Sequence, residues 1–416
     1  MSKNNQIRLL IIGHVWPEPK SSAAGSRMLQ LIKVFLQQQW QVTFASAAAE
    51  SEHRYPFENM GVIKKEIEVN DESFDSFIKV FRPDIVLFDR FLMEEQFGWR
   101  VEKFCPNAVR MIETVDLHCL REARYQAHRK QRPFVENDLN NDVAIREIAS
   151  ILRSDLSIMI SPYEINILMH QFNVSDSILI HTPFMLETIS DKTTALYPEF
   201  QQRQHFISIG NYRHAPNWDA VIYLKEDLWP RIRKRIPQAE LHIYGSYPPK
   251  KATQMHNPKD NFYIKGWAES AEETMKNARV CLAPLRFGAG LKGKLLDAMQ
   301  YGTPSITTSI GAEGMHQSLE WNGTVTDVED DFVNAAVDLY SNEYQWLKAQ
   351  QNGYNIINSE FCKTTHAQKL LERITYIQNN LETHRGNNFT GKMLRHHTMK
   401  STQYMAQWIE EKNKNK

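Results

Sequence analysis

Cysteine is scarce: the 416 residues carry four, Cys105, Cys119, Cys281 and Cys362, with no CxxC or CxxH spacing among them. That argues against a zinc site and against a secreted disulfide framework, and a reducing cytoplasm fits best. Long apolar runs are missing too. The N-terminal stretch MSKNNQIRLLIIGHVWPEP holds only about six apolar residues together, too few for a signal peptide, and no other run approaches the roughly 20 that a membrane helix needs. Neither charge sign is in excess, with 49 Lys and Arg against 49 Asp and Glu. No basic stripe interleaves with aromatics, so nucleic acid is not expected as the main partner. Repeats of solenoid or propeller length are absent, as is any cluster with metal-ligand spacing. No strand-anchored GxGxxG with a downstream acidic residue opens either half, which leaves dinucleotide-dependent redox chemistry as the weakest reading.

What is present is enough apolar residue, 42%, for real cores in two domains of about 200 residues each. Ile7 to Gly13 reads as a strand, and Met28, Leu31, Ile32, Phe35 and Leu36 follow at helical spacing, which makes a β-loop-α unit. Further strands are expected at 42–45, 85–88, 108–114, 156–160 and 178–181, with helices at about 120–130 and 142–153. A second α/β series opens at His205 with FISIGNYRHAPNWDA and continues through strands at 241–244 and 262–264. Helices are expected at 330–340, 344–357 and 361–379, then a break at 384–388 and a last helix over 391–412. The alternation predicts two doubly wound α/β domains.

The most informative stretch is ARVCLAPLRFGAGLKGKLLDAMQYGTPSITTSIGAEGM, residues 279 to 315. It reads as strand, glycine loop, helix, strand and second glycine loop. Val280 to Leu285 suits a strand buried on both faces, and the glycines of FGAG, Gly288 and Gly290, allow close backbone approach. The helix carries Lys292 and Lys294 in its first turn and Leu295, Leu296, Ala298 and Met299 on its apolar face; Gly302 and Pro304 end it. Backbone N–H groups at such a helix start, with a lysine beside them, suit a diphosphate. Asp297, one turn in, suits a ribose diol.

The string KLLDAMQYGTP, Lys294 to Pro304, resembles the K-x-L-[ED]-A-M-x-x-G-x-P helix of GT-B fold glycosyltransferases of the retaining family 4 (glycosyl transferases group 1) type. The resemblance implies that Lys294 binds the donor diphosphate and Asp297 the ribose. The family often has a glutamate on the donor sugar eight positions before the acidic residue, where this chain has Ala289. By the same resemblance His118, in ETVDLHCLREAR with Glu113, Asp116 and Arg121, lies near the transferring centre as the catalytic residue. Gly210 and Arg213 match the start of the donor domain, with Arg213 on the diphosphate, and Lys265, Gly266 and Trp267 match the loop beside the base. The first loop, HVWPEPKSSAAGSR, implicates Gly25 and Arg27 on the donor-sugar or acceptor side. Glu313, in IGAEG, is a candidate to replace the contact absent at Ala289. Read from the residues alone, Asp116, Asn217 and Asp219 also serve as helix caps, and Trp267 as packing.

The expectations are therefore two Rossmann-like domains facing a cleft, at 1–200 and 201–388, with a helix over 389–416 returning to the first. The expected function is transfer of a sugar from a UDP- or GDP-linked donor to a glycan, lipid or small-molecule acceptor. It would proceed with retention, with no cofactor beyond the nucleotide sugar, no metal, and at most peripheral membrane contact. A non-catalytic nucleotide-sugar-binding partner of another transferase stays open, as does an epimerase or phosphorylase of the same fold.

Overall fold

The computed structural model describes residues 6–414. Residues 1–5 and 415–416, the ends of the N-terminal stretch and of the expected last helix, lie outside the described residues. Two all-parallel sheets organise the chain. The first takes β1 (Arg8–Gly13), β2 (Gln41–Ser46), β3 (Ile63–Glu66), β4 (Ile85–Asp89), β5 (Val109–Glu113), β6 (Leu156–Met159) and β7 (Leu179–His181), in the order β3-β2-β1-β4-β5-β6-β7. The second takes β8 (Gln204–Ile209), β9 (Leu241–Tyr244), β10 (Phe262–Gly266), β11 (Ala278–Ala283), β12 (Ser305–Thr307) and β13 (Gly323–Val325), in the order β10-β9-β8-β11-β12-β13. In both sheets the order reverses beside the first strand, between β1 and β4 and between β8 and β11. Such a switch point opens a ligand crevice at the carboxyl ends of the strands.

The apolar runs become central strands because parallel sheets are covered on both faces. Along β1, Leu9 and Ile11 join a core with Phe35, Leu87 and Met111, while Leu10 and Ile12 join another with Phe74, Val86, Phe88 and Phe97. Alternate residues thus feed opposite faces of one sheet. The helix Ala23–Gln37 starts where the Ser22 hydroxyl accepts the Gly25 N–H at 3.1 Å, and it buries Met28, Leu31, Ile32 and Phe35, the residues its spacing marks. In the second domain Trp229, Trp346 and Phe206 build the corresponding core beside Val280 and Leu282.

The return to the first domain begins earlier than residue 389. The helix Glu343–Glu360 lies against the second domain, but Lys363–Asn379 already sends Leu370, Ile374 and Ile377 into the core of β1 and β5. Two more helices follow, Leu381–Gly386 and Phe389–Lys414. Arg385 fastens this segment: its guanidinium pairs with Asp155 at 2.7 Å and donates to the Ala108 carbonyl at 2.8 Å. The last helix lies on the helices Phe91–Phe104 and Asp142–Arg153, with Ala406 packed on Trp99 and Glu410 paired with the buried Arg100. Among the described residues no helix is long and apolar enough to cross a membrane.

Because the Asp155 side chain is only 1% exposed, removing Arg385 leaves a buried carboxylate with only the Arg110 N–H at 2.8 Å and the more distant Arg110 guanidinium at 3.8 Å. Arg385→Ala is expected to lower unfolding free energy in urea by about 3 kcal/mol. An unchanged midpoint would show that the returning helices are held by other contacts.

Candidate functional site

The expected donor helix is present as Gly293–Gln300, with Lys292 at its N-cap and Leu295, Leu296, Ala298 and Met299 buried. Lys294 Nζ donates to Asn217 Oδ1 at 2.8 Å and stands 2.9 Å from where a Cβ at Gly210 would be. This joins the glycine after β8 to the helix after β11. Burial, aided by Lys292, draws the Lys294 ammonium down to about 8. Asp297 is half-buried and its carboxyl makes no hydrogen bond to the described residues; burial alone pushes that carboxyl up to about 7. A cation pulled down and a carboxyl pushed up on one helical face both gain from a ligand that supplies an anion to the first and hydroxyl donors to the second.

Across the cleft stand the carboxyl ends of β1, β4 and β5. Sequence reading placed Glu113 at the end of the fourth strand; it ends the fifth, because the edge strand β3 precedes it. Arg27 is not on the ligand side as expected. It is fully buried, pairs with Glu113 at 3.3 Å and donates to the Pro183 carbonyl. A guanidinium drawn under β5 by a buried carboxylate has no path to the cleft. The pair instead supports the turn after β5, where Glu113 accepts the Val115 N–H at 3.3 Å and Val115 takes a φ of +65°. Gly25 also serves packing, since a Cβ there would run into the Glu18 backbone.

That turn presents Asp116 and His118. Burial disfavours the Asp116 carboxylate, yet Arg121, His118, His214 and Arg90 outweigh it and hold the group well below its ordinary value. His118 Nε2 lies 3.4 Å from Asp116 Oδ1, and its ring meets the Phe91 ring edge-on at 5.4 Å. Burial lowers its imidazole to about 4 against the pull of Asp116, so His118 is neutral at pH 7. The helix His118–Arg129 is oriented by Glu147, which accepts the N–H groups of His118 and Cys119 at 3.0 and 2.9 Å.

The two sides meet at the glycine loop. Gly290 has a φ of +65°, and a Cβ there would stand 2.8 Å from Asp116 Cβ, so only glycine lets the domains approach this closely. Its N–H donates at 2.7 Å to Glu164, which also accepts the Leu117 N–H at 3.1 Å. Burial, with Asp116 nearby, raises the Glu164 carboxyl. Ala289 packs into the first domain's apolar cluster with Leu117, Leu120 and Ile167. Glu313 is engaged by the first domain: Arg124 holds both its oxygens, at 2.9 and 2.7 Å, and also donates to the Gly288 carbonyl at 2.9 Å. Beside this pair a cavity of about 690 Å³ opens between the domains, lined in part by Phe134, Tyr163, Asn166, His170 and His316.

The remaining expected residues sit at the rim. Arg213 is exposed and lies over the Tyr247 ring at 3.6 Å. Lys265 and Gly266 end β10; the Trp267 indole stacks on His53 at 5.0 Å and donates to the Lys20 carbonyl at 3.2 Å, bridging to the first loop. Sequence reading missed Glu164, Arg124 and His214. The first two act on residues more than 120 positions away, which no local motif reveals. His214 reaches solvent at the cleft wall, where the surrounding protein, Arg121 and both lysines lower it to about 4 against Asp116.

Two Rossmann-like domains closing over a lysine-and-aspartate helix form a GT-B fold, and the second of them is of the group 1 glycosyltransferase type. Residues 203–342 match the family model described as Glycosyl transferases group 1, which spans the second sheet and that helix. No curated relative matches the chain. Among solved structures, sucrose-phosphate synthase from Thermosynechococcus elongatus aligns with a TM-score of 0.64 at 16% identity, over 89% of this chain and 99% of that one. HepE from Anabaena, in complex with UDP and glucose, aligns with a TM-score of 0.62 at 11% identity, over 89% of this chain and all of that one (100%). A glycosyltransferase from Rickettsia africae gives 0.64 at 11% identity, over 90% and 100%. At these identities the likeness is one of fold.

Two outcomes follow from the charges. The Asp297 value near 7 exceeds its ordinary 3.8, so its contribution to stability is complete below about pH 4 and is lost as pH rises through 7. Asp297→Asn is expected to melt above the wild type at pH 8 and level with it at pH 4; a constant difference at both would contradict the assignment. Arg124→Ala frees Glu313 and the Gly288 carbonyl together, and a larger radius of gyration by small-angle scattering is expected, whereas an unchanged radius would mean that other contacts hold the domains.

Proposed function

We propose that the chain transfers a sugar from a UDP- or GDP-linked donor to an acceptor bound against the first domain. The observation that carries this is that one helix, following the glycine loop, presents both Lys294 and an Asp297 whose carboxyl makes no hydrogen bond to the described residues. The diphosphate lies at the start of that helix. Lys294, Arg213 and the backbone around Gly288 and Gly290 stabilise the negative charge that grows on the leaving group. Asp297 receives the ribose hydroxyls, and Lys265, Gly266 and Trp267 border the base. No step here calls on a metal or a resident cofactor.

Neutral His118, beside Asp116, is a hydrogen-bonding group at the reacting centre. Retention at the anomeric carbon is the outcome consistent with the group 1 resemblance. HepE, a similar fold, is described with UDP and glucose, which supports UDP as the first nucleotide to try. The acceptor is a glycan, a lipid or a small molecule that enters from the first domain, in a cytoplasmic setting, with peripheral membrane contact at most. A second reading, a non-catalytic partner that holds nucleotide sugar, is favoured by Ala289, which is buried where the family's sugar contact stands, and by the Gly290 N–H already bound to Glu164.

Donor turnover separates the two. With water as acceptor, wild-type protein is expected to release nucleoside diphosphate from one UDP- or GDP-sugar, equally with and without EDTA. Lys294→Ala should lower kcat/KM by about 10²–10³-fold. Tight donor binding without release would favour the non-catalytic reading, and equal turnover by the variant would move the diphosphate elsewhere.

A further inference from the structure

Between the ends of β1 and β5 stands an arginine that the reading of the donor site does not use. Arg90 directly follows β4 and has φ +74° and ψ 163°, a backbone region essentially reserved for glycine. It is held there from both sides: its N–H donates to the Glu113 carbonyl at 2.8 Å, and its own carbonyl accepts the Met93 N–H at 3.2 Å. The strained backbone therefore aims the side chain from the middle of three adjacent strand ends, where parallel sheets of this order take ligands.

The guanidinium is only loosely held by the protein. Its side chain is 21% exposed, its Nε is buried without a hydrogen-bond partner, and its nearest carboxylate oxygen, on Asp89, is 3.7 Å away. No other hydrogen bond joins it to the described residues. Arg385, with a side chain of similar exposure at 18%, donates to Asp155 and to the Pro106 and Ala108 carbonyls. Its ion pair with Asp89 is long, and the neighbouring carboxylates have other partners. Asp89 accepts the His14 N–H at 3.1 Å, and Asp116 is paired with Arg121. His14 and His118, its other titratable neighbours, are both shifted toward the neutral form. The cleft thus holds a preorganised fork of N–H donors that hydrogen-bonds to none of the described residues, next to His118, whose ring packs on the residue after Arg90.

We propose that Arg90 anchors an anionic group of the acceptor, a phosphate or carboxylate, at the end of β4. The inference rests on the proposed sugar transfer and narrows its acceptor to an anionic class. A planar guanidinium engages either oxyanion through two parallel hydrogen bonds, which fixes orientation as well as position. An acceptor held there has its nucleophile beside His118 and across the cleft from Lys294, whereas the donor's own diphosphate is met on the second domain.

The test titrates inorganic phosphate into protein saturated with UDP or GDP, whichever binds, and into protein alone, followed by calorimetry. Wild type is expected to bind phosphate beside the nucleotide. Arg90→Gln should weaken that binding at least tenfold and leave nucleotide affinity within twofold. Equal phosphate binding by both proteins overturns the proposal, and so does a tenfold loss of nucleotide affinity in the variant, which would give Arg90 to the donor diphosphate. Absence of nucleotide binding in the wild type would count against the donor reading alone, and the titration of protein without nucleotide still decides the anion site. A second variant guards against a structural explanation. Arg90→Gly relieves the backbone, so it should raise Tm by about 2–4 °C; a lower Tm would make Arg90 a structural residue and overturn the assignment.

Discussion

The approach of the Gly288–Gly290 loop to the turn after β5 sets the geometry of the whole cleft. Gly290 is the contact at which a side chain would collide with Asp116, and its N–H is shared into Glu164, which also fixes Leu117. One carboxylate of the first domain thereby orients both the turn that carries His118 and the loop of the second domain. Arg124 adds a second tie through the Gly288 carbonyl and Glu313. The domains also meet where Ala289 seats among Leu117 and Leu120, where Ile160 and Phe184 join Leu291 and Leu295, and where the first loop reaches Ser246 and Tyr247.

This arrangement carries a tension that a ligand can resolve. The loop N–H that faces Glu164 is the kind of donor that a diphosphate takes, and the buried carboxylate holding it is shifted toward its protonated form. Lys294 is drawn down and Asp297 pushed up by the same enclosure. A ligand that brings an anion to the first and hydroxyls to the second returns both to their ordinary charge states, which is differential affinity for the closed cleft. The returning helices, anchored by Arg385 on Asp155, keep the second domain tethered to the first whichever state the cleft adopts.

The sequence revealed most where burial is two-sided and local. Strands β1 and β4 are built on the unbroken apolar runs LLII and IVLF, and the donor helix is bracketed by glycine and proline. The edge strand β3, IKKE, has no buried position and so no periodic signal, and β13 is three residues long and opens on glycine. The return at Lys363 was placed late because an amphipathic helix looks the same whichever domain receives its apolar face. Arg27 was misread for a related reason: a basic residue after a long loop resembles a ligand group, and only the fold shows Glu113 beneath it. Glu164 and Arg124 lie outside any motif, because their partners are brought to them by closure. Sequence pattern thus located the donor helix and left the closing contacts to the structure.

The most direct measurement is a crystal structure with the bound nucleoside diphosphate. The account expects the diphosphate at the start of the helix Gly293–Gln300 within hydrogen-bond reach of Lys294, and the ribose on Asp297. A nucleotide bound away from that helix, or at it with Asp297 turned aside, would contradict the account.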